Sequence, residues 1–257
     1  MSVRPGWSRE QLLVAYYLYC RMPFGKMHSR NPEIVRYAES IGRTPAALAM
    51  KLTNIASLDP EITGTGRRGL AGASAADRAI WDEMQSDWER FAVETQTAVS
   101  RLITTDAERP SDIDDDNATA DYGGTNKTIT SSARVGQAFF RRAVLSAYQY
   151  RCCITGMAIP QLLVASHIVP WRVDAANRLN PRNGLCLSML HDKAFDVGII
   201  CVTESLTVQV SRRFQDSKNP FFDKALLAYK GHPISLPEKF QPNLDFLAYH
   251  RENIFEG

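Results

Sequence analysis

The first hundred positions alternate between apolar and polar residues with helical spacing. The segment Gln11–Arg21 is apolar almost all round and follows Ser8, a good N-cap, so it predicts a buried helix. Two further helices are predicted over Pro32–Ser40 and Pro45–Ser57, the second with proline at its first position. A longer helix is predicted over Ala75–Val99, with its large apolar residues on one stripe: Ile80, Met84, Trp88 and Phe91.

The two middle helices are joined by a short turn, Gly42-Arg43-Thr44, and have the proportions of a helix-turn-helix. In that arrangement the second helix of the pair faces DNA with Lys51, Thr53 and Asn54, and Arg43 lies near the DNA backbone. The same side chains also suit the polar face of a small helical bundle, since short-turn helix pairs are common in folds that bind no DNA. Both interpretations stay open.

Residues 104–130 form an acidic stretch almost without large apolar side chains. Positions 106–130 hold 2 basic and 7 acidic residues, and such a segment cannot bury enough surface to offset its ordering entropy. We predict a flexible linker, in which the run Asp114–Asp116 is a solvated charge run rather than a metal site. The linker separates a helical domain for DNA recognition or dimerisation, residues 1–103, from a second domain, residues 131–257.

The pattern after the linker changes from helical to short apolar runs of strand character. A helix over Val135–Tyr150 comes first, followed by strands over Leu162–Val169 and Gly184–Ser188. A helix over Met189–Asp196 follows directly and is stopped by Gly198. Two more short strands, Ile199–Thr203 and Leu206–Ser211, are predicted to pair as a hairpin.

Composition places the chain among ordinary globular proteins, with 44% hydrophobic and 23% charged residues. No apolar run reaches the roughly 18 residues that span a bilayer, and the first ten residues lack a secretion signal. We therefore expect a cytoplasmic protein without a membrane segment. Residues 131–257 hold 15 basic and 10 acidic residues, which weakly favours a polyanionic partner.

The five cysteines suit a reducing compartment, because they are odd in number and irregularly spaced. Neither Cys153 nor Cys186 has a second cysteine three residues away. We therefore expect buried thiols and no structural zinc.

One segment, from Tyr150 to Gly198, carries a dense motif: YRCCITG, then LLVASHIVPW, then RLNPRNGLCLSMLHDKAFDVG. The pattern SHI-x-PW, NGL-x-L and HD-x-AFD-x-G resembles the HNH endonuclease family, in its branch without zinc, over residues 134–212. The N-terminal part more loosely resembles the helical region ahead of this domain in some bacterial restriction-type HNH proteins. The resemblance implies an α+β protein with a C-terminal ββα-metal nuclease domain.

Phosphodiester hydrolysis needs an activated water, charge stabilisation in the transition state and help for the departing oxygen. His167 stands at the end of the first predicted strand, where an imidazole of suitable pKa can act as general base. The resemblance implies that Asn183 braces the connecting loop or polarises His167 from behind. It also implies that His191 is a metal ligand.

The metal site departs from the family pattern at one position, because Ser166 stands where many relatives have an aspartate ligand. We predict one divalent ion, Mg²⁺ or Mn²⁺, with Zn²⁺ or Ni²⁺ as softer alternatives for a site containing histidine. Asp192 and Asp196 are the available carboxylates, although neither shares the helical face of His191 cleanly. Asp196 also suits a structural role at the helix end.

Arginines surround the motif in sequence and are candidates for phosphate contacts, which dominate nucleic-acid affinity. For any one of them, a surface salt bridge is an equally good explanation. With Arg43 and Lys51, the predicted DNA contacts are Arg141, Arg142, Arg172, Arg178 and Arg182.

The sequence therefore predicts a metal-dependent endonuclease acting on double-stranded DNA, in restriction or phage defence, as a homodimer. Two alternatives stay open. One is a DNA-binding regulator with an inert HNH domain, which Ser166 favours. The other is a toxin-like nuclease indifferent to sequence, acting on DNA or RNA.

Overall fold

A computed structural model describes residues 6–66, 72–102, 131–214 and 218–257. The chain divides into two compact units, Met1–Phe139 and Phe140–Gly257. The predicted linker, residues 104–130, lies outside the described residues, and the proposed domain bounds stay predictions. The described elements are α-helices with small sheets, as the α+β prediction requires.

The first unit is helical, and sequence signals explain where its helices begin. Helix α1 starts after a capping box formed by Ser8 and Gln11, and is buried from Leu12 to Arg21. Proline stands in the first turn of the next three helices. Among the described residues up to 102, the α-helices are α1 (Arg9–Arg21), α2 (Pro32–Ser40), α3 (Pro45–Ala56), α4 (Pro60–Gly64), α5 (Ala75–Ser86) and α6 (Trp88–Leu102).

The single helix predicted over residues 75–99 is wrong, because the chain breaks between α5 and α6 at Asp87. This residue has extended backbone angles, φ −152° and ψ 91°. Its side chain accepts a hydrogen bond from the Arg90 backbone N–H at 2.9 Å, which starts a new helix. The apolar stripe predicted for the long helix is nevertheless buried in both pieces.

Two predicted DNA contacts of this unit are engaged inside it. The Lys51 ammonium lies 3.0 and 2.9 Å from the two carboxylate oxygens of Asp77, and both side chains are buried. Arg43 donates to the Gln11 side chain and to the Gly6 carbonyl. These bonds join α3 to α5 and the α2–α3 turn to α1, so both side chains support packing in this structure.

The second unit contains two antiparallel two-stranded sheets and short helices. The division between the units falls within α7, which ends three residues earlier than predicted because Gln149 and Tyr150 have positive φ angles. Its elements are α7 (Ser131–Ala147), β1 (Leu163–His167), β2 (Gly184–Ser188), α8 (Met189–Asp196), β3 (Ile200–Val202), β4 (Val208–Val210), α9 (Pro220–Ala225) and α10 (Leu244–Asn253).

Strand β2 is buried along its whole length and pairs with β1, so that Gly184 lies opposite His167. A side chain at Gly184 would clash with Val144 and would meet Phe140 at 3.0 Å. Glycine is therefore required for α7 to pack directly on the strand that faces His167.

The C-terminal residues pack on β3 and α8. Helix α10 lies against β3, and the His250 ring stacks on Phe195 of α8 at a centroid distance of 3.6 Å. All five cysteines are buried thiols, as predicted. Within the described part of the chain, every helix is too short or too polar to cross a bilayer.

Candidate active site

His167, at the end of β1, is held in one orientation by three neighbours. Its ring stacks on Phe140 at 4.0 Å and meets the edge of Trp171 at 5.6 Å. The Nε2 atom lies 2.9 Å from the Arg178 carbonyl oxygen. Because a carbonyl oxygen only accepts, Nε2 carries the hydrogen and Nδ1 keeps its lone pair.

Burial lowers the pKa of His167, and the hydrogen bond to the Arg178 backbone partly opposes this shift. The imidazole is therefore neutral at neutral pH, and its side chain is half-buried rather than sealed off. A neutral ring with one oriented, basic nitrogen is the form that a general base requires.

Asn183 is fully buried and ties together the loop between β1 and β2. Its side-chain oxygen accepts from the Val169 backbone N–H at 2.8 Å, and its Nδ2 donates to the Val169 carbonyl at 3.1 Å. A longer bond of 3.4 Å reaches the Asn177 carbonyl, next to Arg178. Of the two roles considered for Asn183, these contacts favour bracing the loop that carries the Arg178 carbonyl.

His191 lies in the first turn of α8 and is only 3% exposed. Its Nδ1 is 2.7 Å from the hydroxyl of Ser188, the N-cap of the helix. Its Nε2 is buried and makes no hydrogen bond of good geometry within the described residues. Burial lowers the pKa of His191, and the nearby Ala225 backbone partly opposes the shift. The ring also meets the Tyr229 ring at 5.5 Å.

Of the two candidate carboxylates, Asp192 contacts the Ser166 side chain, and exposed Asp196 lies about one turn further along α8. Burial raises the pKa of Asp192, and a contact with the Ser166 side chain partly offsets the shift. Desolvation, and to a lesser extent the Asp192 charge, raises the pKa of Asp196 to about 6. Ser166 thus has the carboxylate of Asp192, from α8, beside it.

The donors near α8 fit a hard divalent ion that keeps several ligands of its own. Mg²⁺ typically uses one or two carboxylates and completes its octahedron with water and phosphate. Asp192 supplies a carboxylate, and His191 supplies Nε2, which faces the Ala225 backbone without a hydrogen bond of good geometry within the described residues. In the described ranges, no group of three or more His, Cys, Asp or Glu side chains is arranged to hold an ion by itself.

Two of the predicted phosphate-binding arginines bond to backbone carbonyls. The Arg141 guanidinium donates to the Leu163 carbonyl at 2.9 Å and so supports the start of β1. Arg182 donates to the Gln241 carbonyl at 3.4 Å, near the start of α10. Both side chains are half-buried, which limits what they can offer to a phosphate.

The other three arginines differ in exposure. The Arg178 guanidinium lies over the Trp171 ring at 5.1 Å, close to His167. Arg142 is half-buried, and burial lowers its pKa. Arg172 is exposed in the loop between β1 and β2.

Sequence reasoning missed three groups that surround the two histidines. The Phe140 ring and the Arg178 carbonyl orient His167, while Tyr229 covers His191. An aromatic pair in α7 and an aromatic-rich tail were the available signals. Neither signal indicates a contact with a particular histidine, because these contacts form between distant parts of the chain.

Comparison with known protein families matches the segment that contains the candidate site. Residues 152–203 match a family model described as HNH endonuclease. The matched segment contains β1, β2 and α8, and therefore His167, Asn183 and His191. No curated protein matches the chain at a significant level.

Proposed function

Because residues 152–203 match a family model described as HNH endonuclease, we propose that the chain is a metal-dependent DNA endonuclease with His167 as its general base. The observation that carries this proposal is the fixed tautomer of His167. The Arg178 carbonyl takes the Nε2 hydrogen, and the lone pair of Nδ1 stays available. Asn183 braces the loop that supplies this carbonyl.

In the proposed reaction, His167 Nδ1 accepts a proton from a water molecule whose oxygen attacks phosphorus. The bond from phosphorus to the 3′ oxygen breaks, the departing oxygen takes a proton from a solvent water, and the proton held by His167 returns to solvent. The low pKa of His167 keeps the base unprotonated before each turnover. Stacking on Phe140 prevents the ring from turning away from the attacking water.

His191 and Asp192 would hold the divalent ion, Mg²⁺ or Mn²⁺, with Asp196 as an additional carboxylate. When bound, such an ion stabilises the negative charge on the transferred phosphoryl group and on the departing oxygen. Ser188 would then accept the Nδ1 hydrogen of His191, leaving Nε2 to face the ion.

We propose Arg172 and Arg178 as phosphate contacts, because Arg178 lies over Trp171, whose ring meets His167, and exposed Arg172 follows Trp171 in the chain. Double-strand cleavage with one such site per chain needs two copies, so we propose a homodimer. A role in restriction or phage defence also remains a proposal, supported by the resemblance of the helical N-terminal part to restriction-type proteins. Light scattering with and without DNA tests the dimer, which a strictly monomeric species in both states would contradict.

A second candidate function is a DNA-binding regulator with an inert nuclease domain. Two observations favour it. Ser166 replaces a metal-binding acid, and His191 is 3% exposed. A regulator would shift a DNA duplex in a gel without cutting it in Mg²⁺.

Plasmid cleavage in Mg²⁺, Mn²⁺ or EDTA separates the two functions. We expect metal-dependent cutting that falls by a factor of about 10² to 10⁴ in His167→Ala, the usual contribution of a general base. His28→Ala, at an exposed histidine of the first unit, is the matched control and should cut like the native protein.

His191→Ala should lose metal-dependent cutting as well. Equal cutting by the native protein and His167→Ala would refute the assignment of the base. Binding without cutting, on plain and on modified DNA, would favour the regulator. Discrete fragments would indicate a restriction-type specificity, whereas a smear, or cutting of structured RNA, would indicate a toxin-like nuclease.

A further inference from the structure

One segment of the second unit, Lys218–Lys230, lies over His191, and we name it the basic cover. Two of its residues contact the histidine. The Ala225 backbone contacts the His191 ring as a hydrogen-bonding group and raises its pKa. The Tyr229 ring meets the His191 ring edge-on, with centroids 5.5 Å apart. These contacts explain why a side chain in the first turn of a short surface helix is only 3% exposed.

Each contact residue of the basic cover has an exposed lysine beside it in the chain. Lys224 precedes Ala225, and Lys230 follows Tyr229. A third lysine, Lys218, begins the segment and is also exposed, whereas Asp223 is its single acidic residue. The segment therefore presents apolar and backbone atoms to His191 and positive charge to solvent.

The basic cover has few buried anchors. Of its thirteen residues only Leu226 is buried, and Phe221 is 68% exposed. Phe222 packs loosely on Phe214, with ring centroids 6.3 Å apart. Segments with so little buried apolar surface open at a lower free energy than the fold as a whole.

The alternative is that His191 is a purely structural residue of α8. Its Nδ1 does serve such a role through Ser188. Its Nε2, however, is a buried polar atom that has no hydrogen bond of good geometry within the described residues and meets only the Ala225 backbone, so it contributes little to stability. The backbone of a weakly anchored, positively charged segment therefore covers His191 Nε2, and this nitrogen becomes accessible when the segment moves away.

We propose that the basic cover closes over His191 in the free protein and is displaced when DNA phosphates bind Lys224 and Lys230. This inference rests on the proposed function, because it concerns access to the same site. Phosphate binding to the lysines favours the open arrangement and so exposes His191 Nε2 only when substrate is present. The displacement couples DNA binding to metal binding without a change elsewhere in the fold.

The first test measures exposure of His191 rather than activity. Diethyl pyrocarbonate modifies accessible imidazoles, and mass spectrometry of the His191 peptide gives the rate in EDTA. We expect Tyr229→Ala to raise this rate about tenfold and to tighten Mn²⁺ binding in calorimetry. Phe221→Ala, at an exposed ring of the same segment, is the matched control and should behave like the native protein. Unchanged modification of His191 in Tyr229→Ala overturns the proposal.

Native protein supplies a second measurement that does not depend on the variant folding. With increasing urea, modification of His191 should rise less steeply than global unfolding, because the basic cover opens locally. Modification that occurs only with global unfolding would make His191 a structural residue and overturn the proposal.

The DNA arm uses the double variant Lys224→Gln/Lys230→Gln and a short duplex in EDTA. In the native protein the duplex should raise the modification rate of His191, whereas in the double variant His191 should stay as protected as it is without the duplex. The duplex affinity of the double variant should fall and its salt slope decrease by about 2, following roughly one unit per phosphate contact. Unchanged affinity and slope would overturn displacement by DNA. These readouts need no cleavage, so an inactive native protein would refute the proposed nuclease while leaving the basic cover separately decided.

Discussion

Lys51 of α3 is a predicted DNA contact, and His167 of β1 is the predicted general base. The side chains of these two residues have different environments in the structure. Lys51 points into the helical unit and pairs with Asp77. His167 is half-buried, with an oriented and basic nitrogen. The helix containing Lys51 ends within a residue of its predicted bounds, and the buried position of its lysine favours the helical-bundle interpretation over the DNA-facing one.

The difference lies in how much each pattern specifies. Helical spacing separates an apolar from a polar face, but a lysine at the border of the two can turn either way. The HNH motif specifies neighbours as well as the histidine. Gly184 admits α7 against the strand, and Asn183 holds the loop that orients the ring.

Substitution of Lys51 has the largest expected effect and tests whether this lysine stabilises the fold or contacts DNA. Lys51→Met leaves the Asp77 carboxylate buried without its cation, so we expect the free energy of unfolding to fall by about 3–5 kcal/mol. Urea denaturation measures this loss, and Arg78→Ala, at the exposed neighbour of Asp77, should cost less than about 0.5 kcal/mol. A stable Lys51→Met protein that has lost DNA affinity would restore Lys51 as a DNA contact.

His250 is a buried titratable group of the second unit, as the Lys51–Asp77 pair is of the first. Burial lowers its pKa to about 4, and its Nε2 lies 3.0 Å from the Phe195 carbonyl oxygen. Between pH 6.5 and 4 the unfolded chain binds a proton that the folded protein does not, so stability is full above pH 6.5 and falls as the pH drops. The loss approaches about 3 kcal/mol, at about 1.36 kcal/mol per pKa unit.

His250→Gln removes this titration and should flatten the dependence of urea stability on pH in that range. Exposed His232 gives the matched control, His232→Gln, which should retain the native pH dependence. An unchanged slope in His250→Gln would assign the acid sensitivity to another group.

Asn183→Asp tests whether cleavage depends on the loop that orients His167, as well as on the histidine itself. The new carboxylate would face the Val169 and Asn177 carbonyls that Asn183 Nδ2 now satisfies. We expect plasmid cleavage to fall about 100-fold through displacement of the Arg178 carbonyl from His167. The same change at exposed Asn253, which donates to the Tyr249 carbonyl, should leave cleavage unaltered. Native cleavage by Asn183→Asp would remove the positioning role.

The smallest expected effect concerns Arg172. This side chain is exposed, whereas that of Lys51 is buried. Arg172→Gln should weaken binding to a DNA duplex several-fold and reduce the salt slope by about 1. The control is Arg213→Gln, an exposed arginine that pairs with Glu256 at 2.7 Å. Titrations at several salt concentrations measure both, and equal slopes for the two variants would exclude Arg172 from the interface.

Much of the secondary structure was predictable, since caps and breakers act locally. The bounds of α2, β2 and α8 agree with those predicted from proline, glycine and serine positions. The break at Asp87 was missed, because a strong apolar stripe continued across it. Within the site, the family motif identified His167, Asn183 and His191, but it contained no information on Tyr229, which comes from a segment outside the matched residues.

By itself the sequence determined the element order, the α+β class and the HNH motif, because all of these depend on residues close together in the chain. Only the tertiary structure decided that Lys51 is buried against Asp77, that the Arg178 carbonyl sets the tautomer of His167, and that Tyr229 covers His191. Each of these contacts joins residues 11 to 38 positions apart. Side-chain partners at such separations are selected by packing and desolvation of the folded chain, which no local pattern encodes.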